Sequence, residues 1–113
     1  MYGNPPMDDY IFCRIAQHQM PADITYEDEL VMAFNDINPK APIHQLIIPK
    51  IHIESLAHLQ PQHHDLMAHL TLLIPQLAKK SGLNNGFKIQ VHSGKGGGKE
   101  VFHLHYHLMG APS

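Results

Sequence analysis

The stretch His103-Leu104-His105-Tyr106-His107-Leu108-Met109 decides how this chain is read. Three imidazoles alternate with apolar or aromatic side chains. On a β-strand successive side chains point to opposite faces. His103, His105 and His107 then share one face, and Leu104, Tyr106 and Leu108 share the other. A helix would scatter the imidazoles around its circumference. The spacing predicts a strand over residues 101–109, with one face in a core and the other lining a site.

The neighbouring segments give that strand its partners. Residues 87–92 alternate Phe87, Ile89 and Val91 against Lys88, Gln90 and His92, which reads as a fourth strand. Ser93-Gly94-Lys95-Gly96-Gly97-Gly98-Lys99 would join the two as a hairpin connector. Upstream, Pro61 opens a helix running to about Lys80. Leu66, Leu70, Leu73, Ile74, Leu77 and Ala78 form its apolar stripe. Pro75 should kink or interrupt it, and Gly82 suits a left-handed cap beyond its end. Ile43–Pro49 reads as a strand with His44, Leu46 and Ile48 on one face, and Pro49 marks its end. Residues 24–27 and 30–34 read as two more strands, linked by a tight turn at Asp28-Glu29. A short helix over residues 10–16 follows a loose arm at residues 1–8, with Asp8 or Asp9 as its cap. The sum is an α+β domain with a five-stranded antiparallel sheet, one long helix and one short one.

Composition bounds the rest. A chain of 113 residues is one domain and buries on the order of 65% of its unfolded surface. A net charge of −2 gives no general footprint for nucleic acid or an acidic membrane. Eleven histidines could carry that charge to +9 if all were protonated. One cysteine, Cys13, cannot form an intrachain disulfide and fits a reducing compartment. No apolar run approaches the ~20 residues of a membrane span, and no signal peptide is evident. These features lead us to expect a cytoplasmic protein.

Three chemistries are open to the histidine row. One is a polar strand face with no further role. A second is a metal site. His103 and His107 lie roughly 13 Å apart on an extended strand, too far to share one ion. Adjacent pairs could share one, completed by His44 or His92. The third is nucleophilic. A neutral imidazole attacks phosphorus and forms a phospho-histidine intermediate. Its neighbours then stabilise the developing charge. The middle histidine, His105, is the natural nucleophile, and no cofactor or metal is required. The glycine-rich loop could aim N–H groups at phosphate oxygens, although read alone it is a flexible connector. It does not match a P-loop.

At this point the chain resembles the histidine triad (HIT) superfamily, and specifically its Hint branch. The resemblance rests on the triad stretch, on Phe34-Asn35-Asp36-Ile37-Asn38-Pro39-Lys40-Ala41-Pro42-Ile43-His44 running on to His52, and on Asp9-Tyr10-Ile11-Phe12-Cys13-Arg14-Ile15. It implies a HIT domain over residues 9–113 and a homodimer whose two sheets join. It implies a metal-independent hydrolase or transferase acting at the α-phosphate of purine nucleotides. The expected reaction is phosphoramidase-like, cleaving adenosine 5′-phosphoramidates to AMP and an amine. By position, His105 would be the nucleophile. His103 and His107 would assist, and His44 would support the triad. Asp36 would take the ribose hydroxyls. Ile11, Phe12 and Ile37 would wall the base, and Lys99, Glu100 and Val101 would approach the phosphate. His92 stands where the branch carries Asn, beside the phosphate and ribose. Two other readings remain at this level: a non-catalytic nucleotide-binding or regulatory module, and a histidine-based metal-binding protein.

Overall fold

The computed structural model describes residues 11–98 and 101–113. Seven regular elements build it: α1 (Ile11–Ala16), β1 (Ile24–Glu27), β2 (Val31–Asn35), β3 (Ile43–Pro49), α2 (His64–Lys80), β4 (Lys88–Gln90) and β5 (Tyr106–Gly110). The strands form one antiparallel sheet in the order β1-β2-β3-β5-β4. The expected class, strand count and helix pair are all present.

Strand alternation sorts the apolar side chains onto two faces. Val31, Ala33, Ile47 and Leu108 pack against Leu70, Leu73, Ile74 and Leu77 of α2. Met32, Phe34, Leu46 and Ile48 pack against Phe12, Ile15 and Ala16 of α1. Both faces of β2 and β3 are therefore covered, and both strands read as near-continuous apolar runs. In β5, Leu108 belongs to the α2 side. The alternation then turns His107 to the α1 side, the same side as His44 of β3.

The long helix begins as a 3-10 turn at Pro61–His63 before α2 proper. It runs unbroken through Pro75, against the expected interruption. The missing N–H of Pro75 would have reached the carbonyl of Thr71. Both residues are exposed, so water can satisfy that carbonyl. The helix stops as expected. Gly82 takes φ +79 and its N–H bonds Lys79, while the Leu83 N–H reaches back to Ala78. Leu83 is then buried beside Ala78, the hydrophobic contact that accompanies this stop.

One strand departs from expectation at the decisive place. The predicted 101–109 strand is regular only over Tyr106–Gly110. The β3–β5 ladder runs from Ile43↔Gly110 to Ile47↔Tyr106. Continued in register, it would set Pro49 opposite Leu104, where Pro49 has no N–H to offer. Leu104 instead donates its N–H to Ile53. The segment carrying His103 and His105 therefore leaves the sheet, and the three histidines are not a single row. The fourth strand is also shorter than expected, Lys88–Gln90 rather than 87–92. The second is displaced by one residue, to Val31–Asn35.

The turn between β1 and β2 is fastened to α2 through Asp28. One carboxylate oxygen accepts from the Tyr26 hydroxyl at 2.7 Å and from His69 Nε2 at 2.6 Å. The other accepts the backbone N–H groups of Leu30 and Val31. Burial alone would raise the pKa of Asp28, but the four donors override it and hold the carboxyl well below the usual range. Glu27, beside Lys50 and His18, is also lowered. A carboxylate whose folded pKa is depressed stabilises the fold above its unfolded pKa, and that stability is lost as pH falls through the folded value. Asp28→Asn should cost about 1–3 kcal/mol near neutrality. In urea titrations the gap to wild type should narrow as pH falls from about 5 to 2. A gap that does not change with pH would show that the charge of Asp28 is not what fastens the turn.

Candidate active site

The site forms where β3 and the loop before it, the start of β5 and α1 meet. Backbone groups have fixed hydrogen-bond polarity, so they decide which nitrogen of each imidazole carries its proton. The Lys40 N–H donates to His44 Nδ1 at 2.9 Å. A neutral His44 must then carry its proton on Nε2. Burial lowers the pKa of His44, opposed by Asp36 and reinforced by Lys40, which favours this neutral form. His44 Nε2 lies 2.9 Å from His107 Nδ1 and 3.4 Å from Asp36 Oδ2. The Nε2–H donates to His107 Nδ1, which places the proton of a neutral His107 on its own Nε2.

His105 is set the opposite way. Its Nδ1 lies 2.6 Å from the backbone carbonyl of His103, which can only accept. Nδ1 carries the proton, and the basic lone pair is on Nε2. The ring is 7% exposed and stands edge-on to Phe12 at 5.1 Å and to His107 at 4.9 Å. The arrangement therefore pairs a nucleophilic nitrogen with an adjacent N–H donor, the two components needed at a phosphorus centre.

His103 faces elsewhere. Its Nε2–H donates to the Pro49 carbonyl at 2.9 Å, which turns Nδ1 towards Cys13 Sγ and His52 Nδ1, each at 3.3 Å. Cys13 and His52 are 3.2 Å apart. Sequence reasoning missed this trio. Its members lie far apart in the chain, and Cys13 has no partnering cysteine. Only His52, at the end of the stretch that carried the resemblance, offered a hint. Burial pushes the Cys13 thiol up, so without a metal it stays protonated.

Among the described residues two groups have ligand geometry, Cys13/His52/His103 and Asp36/His44/His107. Neither uses the adjacent triad pairs that spacing alone suggested. The first fits a metal. A carbonyl holding the far nitrogen of His103 leaves a lone pair aimed at the other two donors, the outer-shell arrangement of ligating histidines. The second does not fit. A metal on His44 Nε2 would leave the Lys40 N–H facing another N–H at Nδ1.

The remaining predicted residues take these places. Asp36 accepts the Asn38 N–H through Oδ1 while Oδ2 faces His44, so it both shapes its loop and meets the site. Phe12 is buried among Phe34, His103 and His105, with Ile11 and Val101 packed around the same cluster. Ile37 is 90% exposed on the loop after Asp36. His92 stands edge-on to His107 at 5.5 Å. Lys99 and Glu100 lie outside the described residues.

This geometry, a middle histidine whose backbone-bonded Nδ1 leaves its lone pair on Nε2, on a five-stranded α+β sheet, is that of a histidine triad fold. The chain belongs to the histidine triad superfamily: the family model for the scavenger mRNA decapping enzyme C-term binding domain matches residues 9–113. It is similar to protein HitA of Neisseria gonorrhoeae, 54% identical over 94% of this chain and 99% of that protein. A HIT family hydrolase from Legionella pneumophila superposes with a TM-score of 0.87 at 39% identity, over 91% of this chain and 93% of that one. The 14 kDa zinc-binding protein of Zea mays is 39% identical over 88% of this chain and 80% of its own length. Among the described residues no helix is long and apolar enough to cross a membrane.

Proposed function

We propose that this protein is a purine nucleoside phosphoramidase working through a covalent nucleotidyl-His105. The observation that carries the reading is the bond from His105 Nδ1 to the His103 carbonyl, which fixes the attacking lone pair on Nε2. In the first step Nε2 bonds to the α-phosphorus and the P–N bond to the amine breaks. The Nε2–H of His107 donates a hydrogen bond to the departing nitrogen, which takes its proton from solvent. In the second step water attacks phosphorus, the P–Nε2 bond breaks, and the proton of the attacking water passes to solvent. AMP and amine leave with atoms and charge balanced. Asp36 holds the ribose hydroxyls and Phe12 lies beneath the nucleotide. In an adenosine phosphoramidate assay, His105→Ala should lose on the order of 10⁴-fold or more in kcat, comparable to removal of other catalytic nucleophiles. Turnover by the folded wild type should persist with chelator. Retained turnover in His105→Ala, or loss with chelator while the fold is intact, would contradict the mechanism.

A second reading rests on the Cys13/His52/His103 geometry, and the zinc-binding name of the maize relative supports it. A zinc ion held there would tie α1 to the segment bearing the triad. His105 is not a member, so the two readings coexist. Dialysed protein should retain about one Zn²⁺ per chain, and Cys13→Ser should lose it and melt at a lower temperature. Absence of bound zinc in wild type, or full retention by a Cys13→Ser/His52→Ala double variant, would overturn this reading.

A further inference from the structure

Among the described residues His92 makes two contacts that link separate parts of the site. Its Nδ1 donates to the carbonyl of Gly97 at 2.7 Å. Its ring stands edge-on to His107, with centroids 5.5 Å apart and planes at 86°. Gly97 ends the 3-10 turn Lys95–Gly97 in the connector between β4 and β5. Among the described residues two backbone bonds hold that turn, Gly97 N–H to Gly94 and Gly98 N–H to Lys95. It opens at Gly94 with φ +69 and closes at Gly98 with φ +83, both left-handed positions that glycine takes without cost. A Cβ on Gly98 would sit 3.5 Å from His92 Nδ1, so the imidazole packs directly against the loop backbone.

We propose that His92 is a positioning residue that clasps the glycine-rich loop and registers it against His107. The proposal rests on the phosphoramidase reading for its consequence, but the clasp itself does not. With glycine at four of residues 94–98, such a loop has few side chains with which to pack itself. Its conformation must be imposed from outside, and the bond to Gly97 does that. Because the clasping ring also abuts His107, the loop N–H groups and the N–H donor of His107 are set relative to one another. Together they would face the same phosphate.

The two contacts can be separated by choice of substitution. Asparagine carries an N–H donor at the same distance from the backbone as His92 Nδ1, but has no ring. Phenylalanine keeps a ring against His107 and loses the donor. Hydrogen exchange of residues 94–98 in the nucleotide-free protein reads the clasp without reference to catalysis. His92→Phe and His92→Ala should exchange roughly five- to tenfold faster there, the scale of one lost hydrogen bond, with His92→Asn close to wild type. With an adenosine phosphoramidate, the same two variants should raise KM by a similar factor, more than they lower kcat. His92→Asn should rescue KM.

Unchanged exchange in His92→Phe overturns the clasp. Faster exchange with an unaltered KM overturns the link to phosphate binding. If wild type turns over no phosphoramidate, the phosphoramidase reading fails, while the exchange result still decides the clasp.

Discussion

The bond from the Lys40 backbone N–H to His44 Nδ1 sets the polarity on which the rest of this site depends. An imidazole has two nitrogens and one proton when neutral, and nothing in its own chemistry selects between them. A backbone N–H admits only one answer. It sends the His44 proton to Nε2, which in turn makes His107 Nδ1 an acceptor and His107 Nε2 a donor. A second backbone group, the His103 carbonyl, sets His105 in the opposite sense. Two adjacent, chemically identical side chains thus become a donor and a base. The low pKa of buried His44 keeps the arrangement neutral, because protonation at Nδ1 would break the first link.

The sheet delivers these residues, but irregularity specialises them. Regular pairing brings His44 opposite Met109 and Leu46 opposite His107, close enough for the two imidazoles to bond. Beyond Tyr106 the ladder ends, since the next positions of β3 run into Pro49. His103 and His105 are then held by backbone carbonyls of Pro49 and His103. Pro49 therefore does two things: it stops the ladder, and its carbonyl aims His103 towards Cys13 and His52 rather than towards His107. Three histidines at equal spacing acquire three different surroundings.

Much of the fold was legible because its signals are periodic. The α2 stripe from Leu66 to Ala78, the cap at Gly82 and the β3 limits Ile43–Pro49 follow from spacing and from Gly and Pro chemistry. The departure of residues 101–105 from the sheet was not legible, because it arises from a Pro 55 positions away in the partner strand rather than from local pattern. Pro75 misled in the other direction. Its cost depends on whether Thr71 is wet, which only the packing reveals. At the site, His105 was legible from the alternating histidines, while the roles of His44 and Asp36 came from the resemblance, and those two lie together beside His107. The Cys13/His52 pairing with His103 joins segments separated by up to 90 residues, and no spacing rule anticipates that.

Tautomers can be observed directly. The central claim, that backbone polarity assigns opposite proton positions to His105 and to the His44–His107 pair, is tested by long-range 15N–1H correlation of the imidazole nitrogens in nucleotide-free protein. The predicted spectrum has Nε2-protonated His44 and His107 alongside Nδ1-protonated His105. Finding His44 protonated on Nδ1, or His105 on Nε2, would contradict it.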